Sequence, residues 1–438
     1  METNLLNTQE IINISINEWQ KIDFNSEFNL KGFHFSKPES TQLIAQLSNN
    51  GFIDLLELPF GLKINTFQYV GKIEIENLRI SIKPKIAELP LLNLLRYTYK
   101  LKEFKLYDPL TFGTENNNFF DLLIYQLILE VNELIHRGLL RSYTKSFEQL
   151  QSPRGKIEFT KIAKKGGIIE PYLPCSNFKR IENNYLNQSL LAGLNFSIQM
   201  TDDIELKSLL RKTSKILSQN VSEVQLSKKI ISLAQTSINR LTLTYQPALT
   251  LIERLFNSLG LSLDQNDEQI KLPGFLFDMN LFFQELIGKF LREYLTNYQI
   301  QEQFRLKKML SYNANHNPQL KKFASPRPDF AVMNGKKVVI LLDTKYRDIW
   351  EKDLPSEMLY QLCFYAISQG ISGEASIIYP TLNVSANEEW IDVSHPISQK
   401  LLATVKLRPV NLNYLENLIF QKLDKQKQEY AHYIAFGN

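Results

Sequence analysis

Two aspartates and a lysine form the clearest chemical pattern in the sequence. Asp329 follows an Arg-Pro pair, thirteen residues separate it from Asp343, and Lys345 comes two positions later. Asp343 ends the apolar run Val338–Leu342, which is typical of an internal strand, and residues two apart on a strand share a face. Hard cations such as Mg²⁺ prefer carboxylate oxygens, and a neighbouring lysine can orient a water or neutralise charge on a phosphate. These residue types therefore favour a Mg²⁺ site that acts on phosphate.

The alternative is that Asp329 caps a strand and that Asp343 and Lys345 form an exposed surface pair. Asp and Lys are depleted from buried strands, so the apolar run before Asp343 favours the functional interpretation.

The turn between the two strands decides whether the carboxylates meet. A two-residue Asn334-Gly335 loop would place Asp329 opposite Ile340 and turn it away from Asp343. An odd loop, or a turn with a bulge, puts both carboxylates on one face. We therefore predict a bulge or an odd loop at 333–337.

The elements around these residues divide the chain into three predicted domains: 1–105, 106–275 and 276–438. The first is strand-rich, with a hairpin predicted over Lys72–Lys83, and the second has mainly helical periodicity. The predicted fold class is α+β and multidomain, with a β-rich N-terminal domain, a helical middle domain and a C-terminal α/β core with a mixed sheet. Helices are predicted at 120–136, 187–200, 203–217, 224–241, 248–259, 278–298 and 356–369, and C-terminal strands at 299–304, 328–333, 337–346 and 375–379.

Composition excludes several classes of protein. The 438 residues include 44% hydrophobic ones and carry a formal net charge of +4, which is unlike a disordered chain. Two cysteines exclude a disulfide scaffold and a four-thiolate metal site. We find neither a signal peptide nor an apolar run of the ~20 residues that span a bilayer, so no membrane association and a cytoplasmic location are expected.

Basic residues concentrate around the predicted strands. Residues 301–350 hold ten Lys and Arg against four acidic residues, a local charge of +6. A charge run is ordinarily a solvated face, but here it surrounds the acidic pair, so we expect phosphate contacts that position a DNA duplex. The predicted DNA-binding residues are Arg305, Lys307, Lys308, Lys321, Lys322, Arg327, Lys336, Lys337 and Arg347.

Two further polar residues fit this site. Gln361 and Tyr365 lie four apart in a predicted helix, so they share a face and can reach the metal site or a phosphate. The alternative for this pair is a half-buried helix face under the sheet.

These motifs resemble a known family. Pro-Asp, Asp-x-Lys and Gln-x-x-x-Tyr resemble the RecB-like branch of the PD-(D/E)xK nucleases. Arg-Pro-Asp and Asp-Thr-Lys-Tyr after Phe-Asp-Met-Asn resemble McrC, the nuclease subunit of McrBC-type modification-dependent restriction systems. The resemblance extends over about residues 65–380, and its upstream motifs are Val70-Gly71-Lys72, Ile82–Ile86, Arg137-Gly138-Leu139, Arg154-Gly155-Lys156 and Asn183–Asn187.

The resemblance implies that Asp329, Asp343 and Lys345 are the catalytic residues, supported by Gln361 and Tyr365. It also implies Mg²⁺ as cofactor, bound by Asp329, Asp343 and the Thr344 carbonyl. The implied partners are a hexameric McrB-like AAA+ GTPase ring, which recognises modified double-stranded DNA and whose GTP hydrolysis this chain stimulates. The sequence contains no Gly-x-x-x-x-Gly-Lys-Ser/Thr, so GTP binds to the partner.

One position departs from the family pattern. Where the family has a glutamate that helps the metal site, this sequence has Gln284, and Glu285 follows one position later. A shift of one residue rotates a helical side chain by about 100 degrees. A regulatory or scaffold subunit with a degenerate nuclease domain is therefore a second hypothesis, and a free-standing RecB-like repair nuclease is a third.

Overall fold

The structure is a computed structural model that describes residues 11–101, 119–164, 166, 171–259, 274–307, 309–323, 325–370 and 372–437. Within these residues the chain is mixed α/β, with twelve α-helices and four sheets. They form two compact units, one from the described residues up to 100 and after 271, the other from those between 101 and 271. The domain boundaries near residues 105 and 275 stay predictions. None of the described helices has the length and apolar character needed to cross a membrane.

The elements follow one another in this order. The N-terminal segment contains β1 (Ile12–Asn17), β2 (Lys21–Ile22), α1 (Pro38–Asn49), β3 (Ile53–Leu58), β4 (Gly61–Thr66), β5 (Tyr69–Ile75), β6 (Leu78–Lys83) and α2 (Glu88–Tyr99). The middle segment contains α3 (Phe119–Arg137), β7 (Ser142–Leu150), β8 (Lys156–Ile157), α4 (Phe159–Lys164), β9 (Leu173–Ile181), α5 (Tyr185–Met200), α6 (Ile204–Ser218), α7 (Lys228–Thr236) and α8 (Gln246–Leu259). The C-terminal segment contains β10 (Gly274–Asp278), α9 (Met279–Tyr294), β11 (Gln299–Glu302), β12 (Phe330–Asn334), β13 (Lys337–Thr344), α10 (Ser356–Ser368), β14 (Gly373–Thr381), β15 (Glu389–Ser394), β16 (Leu401–Asn411), α11 (Leu412–Phe420) and α12 (Asp424–Phe436).

The strands of the N-terminal segment form two small sheets, with strand orders β1-β6-β5-β10 and β2-β4-β3, and the first sheet includes β10 from the C-terminal segment. The predicted hairpin is confirmed, because β5 and β6 pair antiparallel with Ile73 opposite Ile80. Gly71 lies beside β10 with a φ of +149°, and a Cβ there would lie 2.0 Å from the Phe275 carbonyl oxygen. Only glycine fits this position, which lets β10 join the sheet immediately before α9 begins.

The C-terminal segment forms a six-stranded mixed sheet with the order β11-β12-β13-β14-β16-β15. Its central strands β13, β14 and β16 run parallel, and the outer ones pair antiparallel. Helix α10 packs on one face, where Leu341, Ile377 and Val405 form a core with Leu362 and Ala366 of the helix. Side chains two apart on a strand point to the same face, so Asp343, two residues after Leu341, also faces α10.

The middle unit combines its helices with the antiparallel sheet β7-β9-β8, which the helical prediction for 106–275 missed. Strand β7 is half-buried or exposed at each of its nine positions, so it lacks the apolar alternation that marks a half-buried strand. The helix predicted at 224–241 is shorter, because only Lys228–Thr236 is helical.

Candidate active site

The hairpin of β12 and β13 contains the predicted irregularity at a different place. Asn334 pairs with Lys337, so the turn has two residues, Gly335-Lys336, and Gly335 has a φ of +59°. The register shifts between Val332 and Met333, because Val339 on β13 is an extra residue without a partner. A bulge is therefore present, but its extra residue follows the predicted interval 333–337.

The bulge brings the two carboxylates to one face. Beyond it Phe330 lies opposite Leu342, so Asp329, the residue before the strand, comes opposite Asp343. The two-residue turn alone would have paired Asp329 with Leu342 and turned it to the other face. The extra residue of the bulge moves Asp329 to the sheet face of Asp343, as the metal-site hypothesis requires.

Asp343 is a buried carboxyl group with one acidic and one basic neighbour. The residue is about 2% exposed, and Lys345 Nζ lies 3.1 Å from Oδ2. Burial raises the pKa of Asp343 to about 6, with repulsion from Asp329, while Lys345 opposes the rise. Apart from this ion pair, Oδ2 has no hydrogen-bond partner among the described residues. A buried carboxylate oxygen without a further hydrogen-bond partner is suited to bind a cation.

Asp329 is held in place by the end of β13. Its Oδ2 accepts hydrogen bonds from the Thr344 backbone N–H at 2.8 Å and the Thr344 hydroxyl at 2.6 Å. Thr344 thus has a positioning role that sequence reasoning missed, whereas the predicted role of its carbonyl as a ligand stays a prediction. The other carboxylate oxygen of Asp329, Oδ1, accepts only a long hydrogen bond from Gln303 Nε2 at 3.4 Å among the described residues.

Helix α10 places Gln361 and Tyr365 together on this side of the sheet. Gln361 Nε2 donates to Tyr365 Oη at 2.7 Å, and Tyr365 is buried. Burial raises the pKa of Tyr365 to about 12, and the charges of Asp343 and Asp329 add to the effect. The tyrosine hydroxyl therefore stays protonated at neutral pH.

Helix α9 contacts the chain just after Lys345. The Tyr346 backbone N–H donates to Asn280 Oδ1 at 2.9 Å, and the Phe283 ring lies 6.0 Å from the Tyr346 ring. Gln284 is four residues after Asn280 and shares its helix face. Glu285 instead accepts a hydrogen bond from Tyr99 Oη at 2.8 Å. Gln284, and not Glu285, thus shares the face that supports the candidate site.

The donor set fits a hard cation held by few protein ligands. No group of three or more His, Cys, Asp or Glu side chains arranged for a metal occurs within the described ranges. Mg²⁺ is commonly bound through one or two carboxylates, with waters and substrate phosphates completing its octahedron. The pair Asp329 and Asp343, in which Oδ2 of the latter has, among the residues described, only the Lys345 ammonium group as a neighbour of opposite charge, matches that requirement.

The predicted DNA-binding residues divide into three groups. Arg305, Lys307, Lys321, Lys322, Arg327, Lys336 and Lys337 are exposed, and Lys308 lies outside the described residues. Lys337 begins β13, six residues before Asp343, which corresponds to about 20 Å along a strand. Arg347 differs, because its guanidinium lies over the Trp19 ring at 5.5 Å and donates to the Asp353 carbonyl.

The upstream motifs include residues with structural roles. Asn184 caps α5 by accepting from the Asn187 backbone N–H, and the buried Asn187 side chain donates to the Leu140 and Glu182 carbonyls. Tyr245 Oη completes the network by donating to Asn187 Oδ1. These bonds position the Arg137–Leu140 segment, so the motifs stabilise the middle unit.

Glu18 is a neighbour of the site that no sequence pattern indicates. It is fully buried, and its Oε1 accepts from Tyr346 Oη at 2.9 Å and from the Lys85 backbone N–H at 2.8 Å. Burial raises the pKa of Glu18 to about 7. The contact with Tyr346 spans 328 positions in sequence, and no local pattern marks it.

Comparisons with known proteins agree with the motifs. The chain matches a chain of the refined half-complex from the tetradecameric assembly of Thermococcus gammatolerans McrB AAA+ hexamers with bound McrC. The TM-score is 0.63 at 18% identity, over 96% of this chain and 100% of the other. The Thermococcus gammatolerans McrBC complex matches with a TM-score of 0.46 at 17% identity, over 66% and 89%. No curated protein matches.

The family described as McrBC 5-methylcytosine restriction system component matches residues 64–380, which is more than half of the chain. The first structural match shows that the fold extends over nearly all of this chain. The resemblance inferred from the motifs is thereby confirmed, and the chain belongs to the McrBC 5-methylcytosine restriction system component family.

Proposed function

We propose that the chain is the Mg²⁺-dependent DNA endonuclease subunit of a two-component restriction system directed against 5-methylcytosine-type modified DNA. The observation that carries the proposal is the Asp329–Asp343 pair, brought to one face by the bulge at Val339, with Lys345 beside it. Membership in the McrBC family supports the restriction role. The six-stranded sheet with α9 and α10 is, in this proposal, a PD-(D/E)xK core.

Each side chain of the site has a distinct task in the proposed reaction. Asp329 and Asp343 would hold Mg²⁺, with the Thr344 carbonyl as a further ligand. When bound, the cation supplies Lewis-acid stabilisation of the phosphate and lowers the pKa of a coordinated water. Lys345 Nζ, placed 3.1 Å from Asp343, orients or deprotonates the attacking water or neutralises charge on the phosphate. Gln361 and Tyr365 support the carboxylates from α10.

The exposed basic residues are proposed to position the duplex. Contacts from Arg305, Lys307, Lys321, Lys322 and Arg327 neutralise phosphates without reading bases, so the chain contributes affinity and orientation. Recognition of the modified base is then a task of the partner.

The proposed partner is a McrB-like hexameric AAA+ GTPase ring. Support comes from the structural match, whose assembly consists of McrB AAA+ hexamers with bound McrC. The absence of a P-loop motif from the sequence agrees with GTP binding by the partner. We propose that the chain docks on this ring in the cytoplasm and stimulates its GTP hydrolysis.

The test is cleavage of a duplex containing 5-methylcytosine by the chain together with its GTPase partner, GTP and Mg²⁺. We expect cutting with the complete mixture and none after chelation of the cation. Asp343→Ala should abolish cutting and leave GTP hydrolysis stimulated, whereas the control Asp353→Ala, at an exposed position, should retain both activities. Loss of both activities in a well-folded Asp343→Ala protein would contradict the separation of nuclease and stimulatory roles.

One observation favours a second candidate, a scaffold subunit with a degenerate nuclease. Gln284 occupies the helix face on which the family has a glutamate, and among the described residues no third acidic, His or Cys side chain joins the Asp pair in a metal-binding group. Stimulated GTP hydrolysis without any Mg²⁺-dependent cutting by the wild-type pair would support that candidate and exclude the endonuclease.

A further inference from the structure

An open groove extends from the candidate active site along α10. Its volume is about 500 Å³, a size typical of a site for a single small ligand or one unit of a polymer. The lining residues come from α10 and from the segment before β12, namely Leu310, Ser325, Pro326, Arg327, Tyr360, Gln361, Phe364 and Tyr365. We call this feature the aromatic groove.

Two aromatic rings of the groove are exposed on one face of α10. Tyr360 is 69% exposed and Phe364 is 36% exposed, and their spacing of four residues places them side by side. The opposite face of the helix, with Leu362 and Ala366, is packed into the sheet. An apolar surface that remains after a helix has buried its core-facing side is a candidate binding surface.

The aromatic groove is continuous with the acidic pair. Tyr365 lines the groove and also belongs to the core between α10 and the sheet face of Leu341, on which Asp343 lies. Gln361, which donates to that hydroxyl, lies on the groove wall as well. A ligand in the groove is therefore adjacent to the position of a phosphate held at the carboxylates.

The chemistry of the walls matches a nucleotide. Arg327 is exposed on the rim two residues before Asp329 and offers a planar cation to a phosphate. The rings offer flat apolar faces, and the Gln361 amide offers hydrogen bonds to a base edge. Single-stranded nucleic acid is bound by such aromatic platforms beside cationic residues.

We propose that the aromatic groove binds one unstacked base of the DNA strand that is being cut, stacked on Tyr360 and Phe364, while Arg327 contacts the neighbouring phosphate. This inference rests on the proposed nuclease function and extends it: the strand must be locally unstacked beside the scissile phosphate. The chain therefore binds a gapped or single-stranded segment more tightly than an intact duplex.

Photocrosslinking tests the placement of the base. The full chain is irradiated with oligonucleotides that carry one 5-iodouracil, a base that crosslinks to a stacked aromatic ring, and the attached peptide is identified by mass spectrometry. We expect attachment to Tyr360 or Phe364, with more product from single-stranded than from duplex DNA. Attachment exclusively at other residues would overturn the inference.

Affinity measurements test the energetic role of the rings. Tyr360→Ala combined with Phe364→Ala should weaken binding of a single-stranded 12-mer by about tenfold in fluorescence anisotropy. Tyr360→Phe and Phe364→Tyr preserve the stacking surface and should bind like wild type. Phe420→Ala, which removes a 48% exposed ring from α11, is the matched control and should have no effect.

The outcomes separate this inference from the proposed function. Mg²⁺-dependent cutting with no crosslink in the groove would overturn the base site and leave the nuclease intact. A crosslink in the groove without any cutting would leave the base site and overturn the nuclease. If the double variant changes self-association of the chain and not its DNA affinity, the groove is an interface between copies and the inference is wrong.

Discussion

Asp343 and Glu18 are buried carboxyl groups of the same compact unit, and both lie against the segment that follows β13. Burial raises the pKa of each, to about 6 for Asp343 and about 7 for Glu18. Their neighbours differ. Glu18 accepts hydrogen bonds from the Tyr346 hydroxyl and the Lys85 amide, whereas Asp343 faces a second carboxylate and an ammonium group.

This difference indicates which buried carboxyl group is suited to chemistry. A raised pKa reports desolvation, which any buried acid experiences. A cation is favoured where two carboxylates repel each other, and in the described part of the chain Asp343 Oδ2 has no neighbour to balance its charge other than the Lys345 ammonium group. Glu18 connects the N-terminal segment to Tyr346, just after Lys345, and is expected to act through packing and hydrogen bonding.

The largest expected effect follows from Asp343→Asn. The amide keeps the shape of the side chain but removes the charge that would hold a cation, so cleavage should fall by at least about 10³-fold. Cleavage of methylated duplex with the partner, GTP and Mg²⁺ provides the measurement. Glu357→Gln, at an exposed position on α10, is the matched control, and a variant that cuts within tenfold of wild type would remove Asp343 from the mechanism.

Glu18→Gln should leave cleavage nearly unchanged and alter the pH dependence of stability. Because its folded-state pKa is raised, Glu18 binds a proton in the folded protein between about pH 4.5 and 7, so stability is lost as the pH rises through this range. A shift of that size corresponds to roughly 3 kcal/mol. Gln cannot ionise and retains an oxygen for Tyr346 and Lys85.

We therefore expect the melting temperature of Glu18→Gln, relative to wild type, to increase between pH 5 and pH 8. Paired thermal melts in the same buffers provide the measurement. A difference that is constant with pH would mean that Glu18 is ionised in the folded protein throughout this range.

Lys345→Met should lower cleavage by about 10²-fold, in the range of a positioned proton-transfer group. Removal of the ammonium group also takes away an interaction that lowers the pKa of Asp343, so the activity remaining should shift to higher pH. The pH–rate profile of the variant measures both effects. Lys422→Met, at an exposed position, serves as the control, and unchanged rates in Lys345→Met would exclude a role at the reacting phosphate.

Among the variants at the proposed metal site, Gln284→Glu should have the smallest effect on cleavage. A third carboxylate on the helix face of Asn280 would tighten Mg²⁺ binding, with a several-fold lower Mg²⁺ concentration at half-maximal cleavage. Glu285→Gln tests the alternative alignment and should leave the Mg²⁺ response unchanged, because Glu285 bonds to Tyr99. The opposite pattern would assign the family position to Glu285.

The sequence was most informative where the determinants are local. The spacing of Asp329, Asp343 and Lys345, together with the apolar run before Asp343, predicted a strand pair. The metal-site hypothesis then required a bulge or an odd loop to place both carboxylates on one face, and the strand pairing contains a bulge. The place of the bulge could not be predicted, because its extra residue is Val339, an ordinary strand residue, whereas the visible turn signal is Gly335.

Other features escaped prediction for nonlocal reasons. Strand β16 is mostly buried, but Lys406 and Arg408 interrupt its apolar sequence pattern. These two charges can be buried because they are paired with Glu374 and Glu388. The Glu18–Tyr346 hydrogen bond joins distant segments, so only the folded chain brings it together. Hydrophobic periodicity reports local patterns along the chain, so it cannot predict partners of this kind.

Cation binding by the isolated chain tests the central claim most directly. Calorimetric titration with Mg²⁺ at pH 8 should give the same affinity for wild type and Glu18→Gln, and an affinity at least tenfold lower for Asp343→Asn. Equal affinity in wild type and Asp343→Asn would contradict the assignment of the Asp329–Asp343 pair as the metal site.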